Sequence, residues 1–134
     1  MLFPKFDLTY VEIDVLNPTQ IGNLIITSFP ANHTGQTKPT SVRVEVAGKI
    51  ISYTGDSAWN KYIPKVAENS DLFICECYYY EKPIRFHMNY KDIKAHWNEL
   101  KAKRTVLTHF SREMMLNKDS IPEETAYDGL VISL

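Results

Sequence analysis

Residues 72–77, Leu-Phe-Ile-Cys-Glu-Cys, form a nearly all-apolar run of strand length, the signature of a β-strand covered on both faces. A chain holding such a segment needs layers above and below a sheet, which excludes a simple helical bundle or a two-sided solvated meander. The flanking sequence supplies those parts. Residues 7–15 alternate apolar and polar after Leu8 and predict a half-buried strand, followed by a turn at Asn17-Pro18 and Gly22. Leu24 to Phe29 predicts a strand ended by Pro30, and residues 32–40, with Gly35 and Pro39, predict an exposed loop. Val42, Val44 and Val46 alternate with Arg43 and Glu45, and Ala47-Gly48-Lys49 turns the chain into Ile50 to Tyr53, a hairpin.

Beyond the hairpin the pattern changes to alternating helix and strand. Ser57 predicts the cap of a helix carrying Trp59, Tyr62, Ile63 and Val66 as one apolar stripe, kinked or broken by Pro64. Tyr78 to Pro83 leads through a loop to His87, and Asn89 predicts the cap of a helix whose Ile93, Trp97 and Leu100 lie at i, i+4 and i+7. Lys101, Lys103 and Arg104 gather at its C-terminus, where positive charge suits the helix dipole. Residues 105–108 predict a further strand, Arg112 to Leu116 a short helix, and residues 130–134 a final strand after a loop through Pro122. This order predicts an α+β fold, a mixed sheet with helices on one face, within one domain over residues 1–134.

Charge and composition narrow the function. Fifteen basic and sixteen acidic residues leave a net charge of −1, without the basic excess expected of a protein gripping many phosphates of DNA or RNA. A small substrate is favoured over a polynucleotide; Lys101, Lys103 and Arg104 read more economically as a solvated helix end. No apolar run approaches the roughly 18 to 20 residues that span a bilayer, and Met1-Leu-Phe-Pro-Lys lacks the pattern of a secretory leader, so the expected location is cytoplasmic. Cys75 and Cys77, at i and i+2 of a strand, share a face and are expected as buried free thiols.

The chemistry-bearing residues stand just past strands. His33 follows Leu24 to Phe29, Asp56 follows Ile50 to Tyr53, and His109 follows Thr105 to Thr108. Taken singly, a loop histidine is most often solvated, and an Asp between Gly and Ser is a common turn. Together they form a ligand set that binds Zn²⁺ or Mn²⁺, provided the strand ends converge. His96, mid-helix beside Trp97, reads as a surface or packing residue, and Tyr78-Tyr79-Tyr80 as aromatic packing or a cleft lining.

The segments Gly48 to Ser57, Asp71 to Glu76, His87, Lys103 to Ser111 and Asp128 to Ile132, in this order, resemble the second half of the metallo-β-lactamase fold. The similarity runs from about residue 20 to the end, and the tRNase Z and phosphodiesterase-like hydrolases are the branch it resembles. The resemblance implies an αββα-type sandwich of which this chain is the C-terminal half, and two divalent ions as cofactors, Zn first, with Mn or Fe also suited. It makes His33 a metal ligand, Asp56 the carboxylate bridging two ions, and His109 the ligand completing the second. It gives His87 the role of stabilising the scissile phosphate or protonating the leaving group, with Glu76 orienting it; a salt bridge from Glu76 to a Lys or Arg is the ordinary alternative. Met88-Asn89 follow this histidine where tRNase Z has Ser-Thr, a departure that argues against tRNA processing.

The superfamily's His-x-His-x-Asp-His motif does not occur in these 134 residues. His33 and Asp56 would remain for one ion and Asp56 and His109 for the other, whereas catalytic zinc usually has three protein ligands. The expectation is a hydrolase of a phosphodiester or related ester that is inactive as an isolated chain and whose apolar sheet face requires a missing N-terminal half or a homodimer partner. The alternative is a non-catalytic binding or assembly module derived from the same fold.

Overall fold

A computed structural model of the chain describes residues 6–134. Its centre is one seven-stranded mixed sheet whose strands lie side by side in sequence order. The strands are β1 (Thr19–Ile21), β2 (Leu24–Pro30), β3 (Thr40–Val46), β4 (Lys49–Tyr53), β5 (Leu72–Glu76), β6 (Thr105–Thr108) and β7 (Glu124–Thr125). β1 to β4 form an antiparallel meander; β4 to β7 are parallel. Helix α1 (Ile63–Ala67) crosses between β4 and β5, α2 (Tyr90–Ala95) between β5 and β6, and α3 (Arg112–Asn117) between β6 and β7. This is the α+β architecture expected from the sequence.

Local chemistry explains most boundaries. The β3–β4 turn consists of Ala47 (φ 50) and Gly48 (φ 73), both left-handed, the conformation that matches the twist of a two-residue hairpin. Asn89 caps α2 by accepting the Asp92 N–H at 2.8 Å, and Ser111 caps α3 by accepting the Met114 N–H at 3.2 Å. α2 ends at His96, after which a single 3₁₀ turn, Trp97–Glu99, carries the chain to Leu100.

One face of the sheet carries the core. Phe73, Cys75, Cys77 and Leu107 pack against Ile63, Val66 and Ala67 from α1, Met88, Ile93 from α2, Leu100 and Met114 from α3. Both cysteines are buried and free. The opposite face is also apolar. Its register aligns Ile26, Val44, Ile51 and Leu72 in one row, and Val42, Tyr53, Ile74 and Val106 in the next. Most of these side chains remain partly exposed, whereas Leu72 and Val106 are buried.

Besides α2, which stops at Ala95 short of the expected Trp97 and Leu100, four segments depart from the sequence reading. Residues 7–14 form no strand, and Val15 makes only an isolated bridge to Ser28, extended by Leu16 N–H donating to Ser28 O at 2.8 Å. The edge of β2 that this segment would need is taken by β1, which arrives through the tight Gly22-Asn23 turn at far smaller loop-closure cost. Ser57 does not cap a helix. Its N–H is committed to the Glu76 carboxylate and its Oγ accepts the Asn32 N–H at 2.9 Å, so helix formation waits until Ile63. Pro64 then sits in the first turn, where its missing N–H costs nothing, and it starts α1 rather than kinking it. Residues 130–134 are irregular, and the seventh strand is the two-residue β7 instead. Among the described residues no helix is long and apolar enough to cross a membrane.

Candidate metal centre

Because β2, β4, β5 and β6 all run in the same direction, their C-terminal ends meet along one rim of the sheet, the place where parallel α/β sheets present their functional groups. Asp56 lies three residues past β4, Glu76 is the last residue of β5, and His109 is the first past β6. His87 arrives from the loop between β5 and α2. One ligand atom from each of Asp56, Glu76, His87 and His109 lies within 4.8 Å of the others.

The loop bearing Asp56 is pinned through the buried Thr54. Its N–H donates to Ile74 O at 3.1 Å, its carbonyl accepts Ser41 Oγ at 2.6 Å, and its hydroxyl oxygen accepts the Glu76 N–H at 3.0 Å. Two of these contacts reach β5 and one reaches β3, so the loop cannot shift without breaking bonds to both neighbouring strands. Gly55 is left-handed at φ 60, and a Cβ there would stand 3.2 Å from Thr40 O.

Glu76 is fully buried and both of its oxygens are engaged. Oε1 accepts the Ser57 N–H, and Oε2 lies 2.9 Å from His87 Nδ1. Among the described residues no Lys or Arg pairs with it, so its counter-group is an imidazole and not the salt bridge weighed from sequence. Burial pushes its pKa up to about 8; the neighbouring Asp56 charge adds to the rise, while the Ser57 N–H and the nearby His109 oppose it. Glu76 therefore keeps its proton to higher pH than an ordinary carboxylate does.

His109 places Nε2 3.5 Å from Asp56 Oδ1, with both side chains little more than a third exposed. Two donors bound tetrahedrally to one ion at about 2.0–2.2 Å stand roughly 3.3–3.5 Å apart, so this pair is spaced as two ligands of one cation. His109 adopts φ 61 and Phe86, immediately before His87, φ 69, both left-handed. Non-glycine residues in this region store backbone strain that the surrounding contacts must hold.

His33 reaches the same rim but stands outside the four-group cluster. Its Nδ1 lies 3.2 Å from Phe86 O, and its ring meets His87 edge-on with centroids 5.2 Å apart. Asp56 and His109, expected as ligands, and Glu76 and His87, expected as a proton-handling pair, are thus juxtaposed, with His33 one ring further out. The donor chemistry, two imidazoles and two carboxylates without a cationic side chain, suits a divalent ion. His96 lies elsewhere, stacked on Trp59 at 4.2 Å and bonded to Glu99 through Nδ1 at 2.6 Å.

Sequence reasoning missed two contributors. The Ser57 N–H, which holds Glu76, looked like a helix cap; Tyr78, whose ring packs on both His87 and His109 at 4.8 and 5.3 Å, looked like general aromatic packing. Neither carries a local signal, because each depends on a partner brought in by tertiary structure.

Comparison with known proteins places these observations. No curated protein sequence matches the chain. Among solved structures, the metallo-β-lactamase fold protein YhfI from Bacillus subtilis superposes with a TM-score of 0.70 at 23% identity, over 87% of this chain and 51% of that one. A diphosphatase of the PhnP family gives 0.71 at 20% identity, over 89% of this chain and 47% of its own. The short form of human tRNase Z gives 0.65 at 22% identity, over 86% and 45%. The chain thus spans about half the length of each neighbour, and the shared property is the fold. The model of the beta-lactamase superfamily domain matches residues 2–110, and the chain belongs to that superfamily, with the metallo-β-lactamase hydrolase fold.

Proposed function

We propose that this chain forms the C-terminal half of a metal-dependent hydrolase acting on a phosphodiester or related ester. The observation that carries the reading is the gathering of Asp56, Glu76, His87 and His109 within 4.8 Å at the C-terminal rim of the parallel strands. Asp56 and His109 would hold one divalent ion, and Asp56, shared with His33, a second; Zn²⁺ fits this donor set best, with Mn or Fe as substitutes. A bound divalent ion polarises an ester oxygen and makes water a competent nucleophile at neutral pH.

The chain's own residues account for orientation and proton movement. Ser57 N–H fixes Glu76, and Glu76 fixes the ring of His87 through Nδ1, leaving Nε2 as the atom that faces substrate. A Glu76 that keeps its proton faces Nδ1 as a donor and leaves the imidazole hydrogen on Nε2, where it can pass to the departing oxygen. The partly exposed rows Ile26-Val44-Ile51 and Val42-Tyr53-Ile74 are the surface that the rest of a two-sheet sandwich would cover, supplying the remaining ligands.

The test is metal content and turnover together. Metal-free protein is titrated with Zn²⁺ or Mn²⁺, and bis(p-nitrophenyl) phosphate hydrolysis is followed with and without the complementary half of a relative's fold. Bound metal that falls in Asp56→Ala and His109→Ala supports the reading. Equal and negligible metal in all three proteins with the complementary half present refutes it and favours a binding module.

A further inference from the structure

Tyr78 sits two residues past Glu76, at the point where β5 leaves the sheet and the two loops carrying the imidazoles come closest. Its ring stacks on His87 with centroids 4.8 Å apart and planes at 25°, and lies tilted over His109 at 5.3 Å. The two imidazoles stack on each other at 5.5 Å, so the three rings form a closed triangle. The backbone of the same residue is also committed to both loops. Tyr78 N–H donates to Met88 O at 2.9 Å, directly after His87, and Tyr78 O accepts the Ser111 N–H at 2.8 Å, two residues after His109.

We propose that Tyr78 is the positioning residue of this site, a single side chain that sets the mutual orientation of the His87 and His109 imidazoles. The physical case is one of degrees of freedom. His87 is fixed at Nδ1 by Glu76, but one hydrogen bond leaves the ring free to rock about that axis. His109, with its side chain 38% exposed, has Asp56 at 3.5 Å as its polar neighbour. A flat aromatic face against both rings removes the rocking motion, excludes water from one side of each, and turns the electron-rich face of the phenol toward groups that gain positive character when a cation is bound. The backbone bonds supply the register, and the ring supplies the orientation.

The affinity arm of the test rests on the metal-centre reading above, whereas the ring-order arm does not. In the metal-free wild-type chain, NMR is expected to give cross-relaxation between Tyr78 ring protons and the ring protons of both His87 and His109, with one sharp set of imidazole signals. Tyr78→Phe, which keeps the ring, should retain those signals and bind Zn²⁺ within about twofold of wild type. Tyr78→Leu should broaden or split both imidazole sets at unchanged fold and weaken Zn²⁺ binding about tenfold, the scale of losing a group that orients ligands. If Tyr78→Leu does not fold, Tyr78→Met, of comparable bulk and flexible, takes its place, and the wild-type cross-relaxation still decides. Absence of that cross-relaxation, or a folded Leu or Met variant with wild-type imidazole signals, overturns the proposal. A wild-type chain that takes up no Zn²⁺ even with the complementary half supplied, but shows ring order lost in Leu and kept in Phe, refutes the metal reading while upholding Tyr78.

Discussion

Replacing Glu76 by Gln tests the proton logic of the rim, because the two variants differ by one atom and the pocket dictates how the amide must sit. Ser57 N–H is a backbone donor that cannot turn, so the Gln oxygen must take the place of Oε1. The Gln nitrogen then faces His87 Nδ1, at the 2.9 Å position now held by Oε2. An amide N–H can only donate, which forces the His87 proton from Nδ1 onto Nε2. The opposite amide orientation would bury two donors against each other at a cost of about 1–3 kcal/mol, more than a tautomer change requires. At pH 9, where the wild-type carboxylate is charged, stability should fall by only about 1 kcal/mol, since one charge-assisted bond becomes neutral while a buried charge disappears. Hydrolysis by the assembled site should fall about 100-fold, or roughly 2.7 kcal/mol, the lower end of what a general acid contributes, because Glu76 orients the proton donor His87 and not a metal ligand. The assay is ¹⁵N NMR of the His87 ring at pH 9, above the Glu76 pKa of about 8, where the wild-type carboxylate is charged. Wild type should carry the proton on Nδ1 and Glu76→Gln on Nε2. A Gln variant that keeps the proton on Nδ1 and hydrolyses the ester at the wild-type rate refutes the assignment of Glu76 as the group orienting His87.

Other measurements probe the scaffold. Leu107→Ala, at a fully buried position of the helix-side core, should lower unfolding free energy by about 2–5 kcal/mol in a urea titration. Ala47→Asn should raise it by about 0.5–1 kcal/mol, because Asn tolerates the left-handed φ of 50 at the hairpin turn better than Ala. Burial alone would raise the Glu123 pKa, but Lys94 and Tyr90, the latter at 2.7 Å, hold it below the usual range. The stabilisation is therefore present above the unfolded-state pKa of about 4.3 and lost as pH falls through the lower folded value. Glu123→Gln should flatten that acid limb of stability and leave the region near neutrality with a constant deficit.

The sequence was most legible where local pattern and tertiary need agree. The all-apolar run at residues 72–77, the valine alternation of β3 and the Asn89 cap each specify their element without help from distant residues. Alternation at residues 7–15 is equally clear in the sequence, yet it loses its pairing edge to a three-residue strand too short to show any period. For the site, the strand-end placement of His33, Asp56 and His109 was readable because two hairpin reversals separate β2 from β4, and parallel helix crossovers join β4, β5 and β6, so β2, β4 and β6 share a direction. How far each group reaches is a matter of angstroms. His33 stops against Phe86 O, and Ser57 spends its N–H on a carboxylate 19 residues away, outcomes that no spacing rule contains.

The strand order of this sheet, identical to its order along the chain, gives the rim an unusual independence. Asp56, Glu76, His87 and His109 all belong to the stretch between β4 and α3, and the antiparallel ribbon ahead of it reaches them through His33, the Ser41–Thr54 contact and the Asn32 N–H on Ser57 Oγ. Residues 34–38 of the β2–β3 loop, which make none of these contacts, can therefore be exchanged or lengthened, to reshape what approaches the reactive edge, without resetting the geometry of the groups that would perform the reaction.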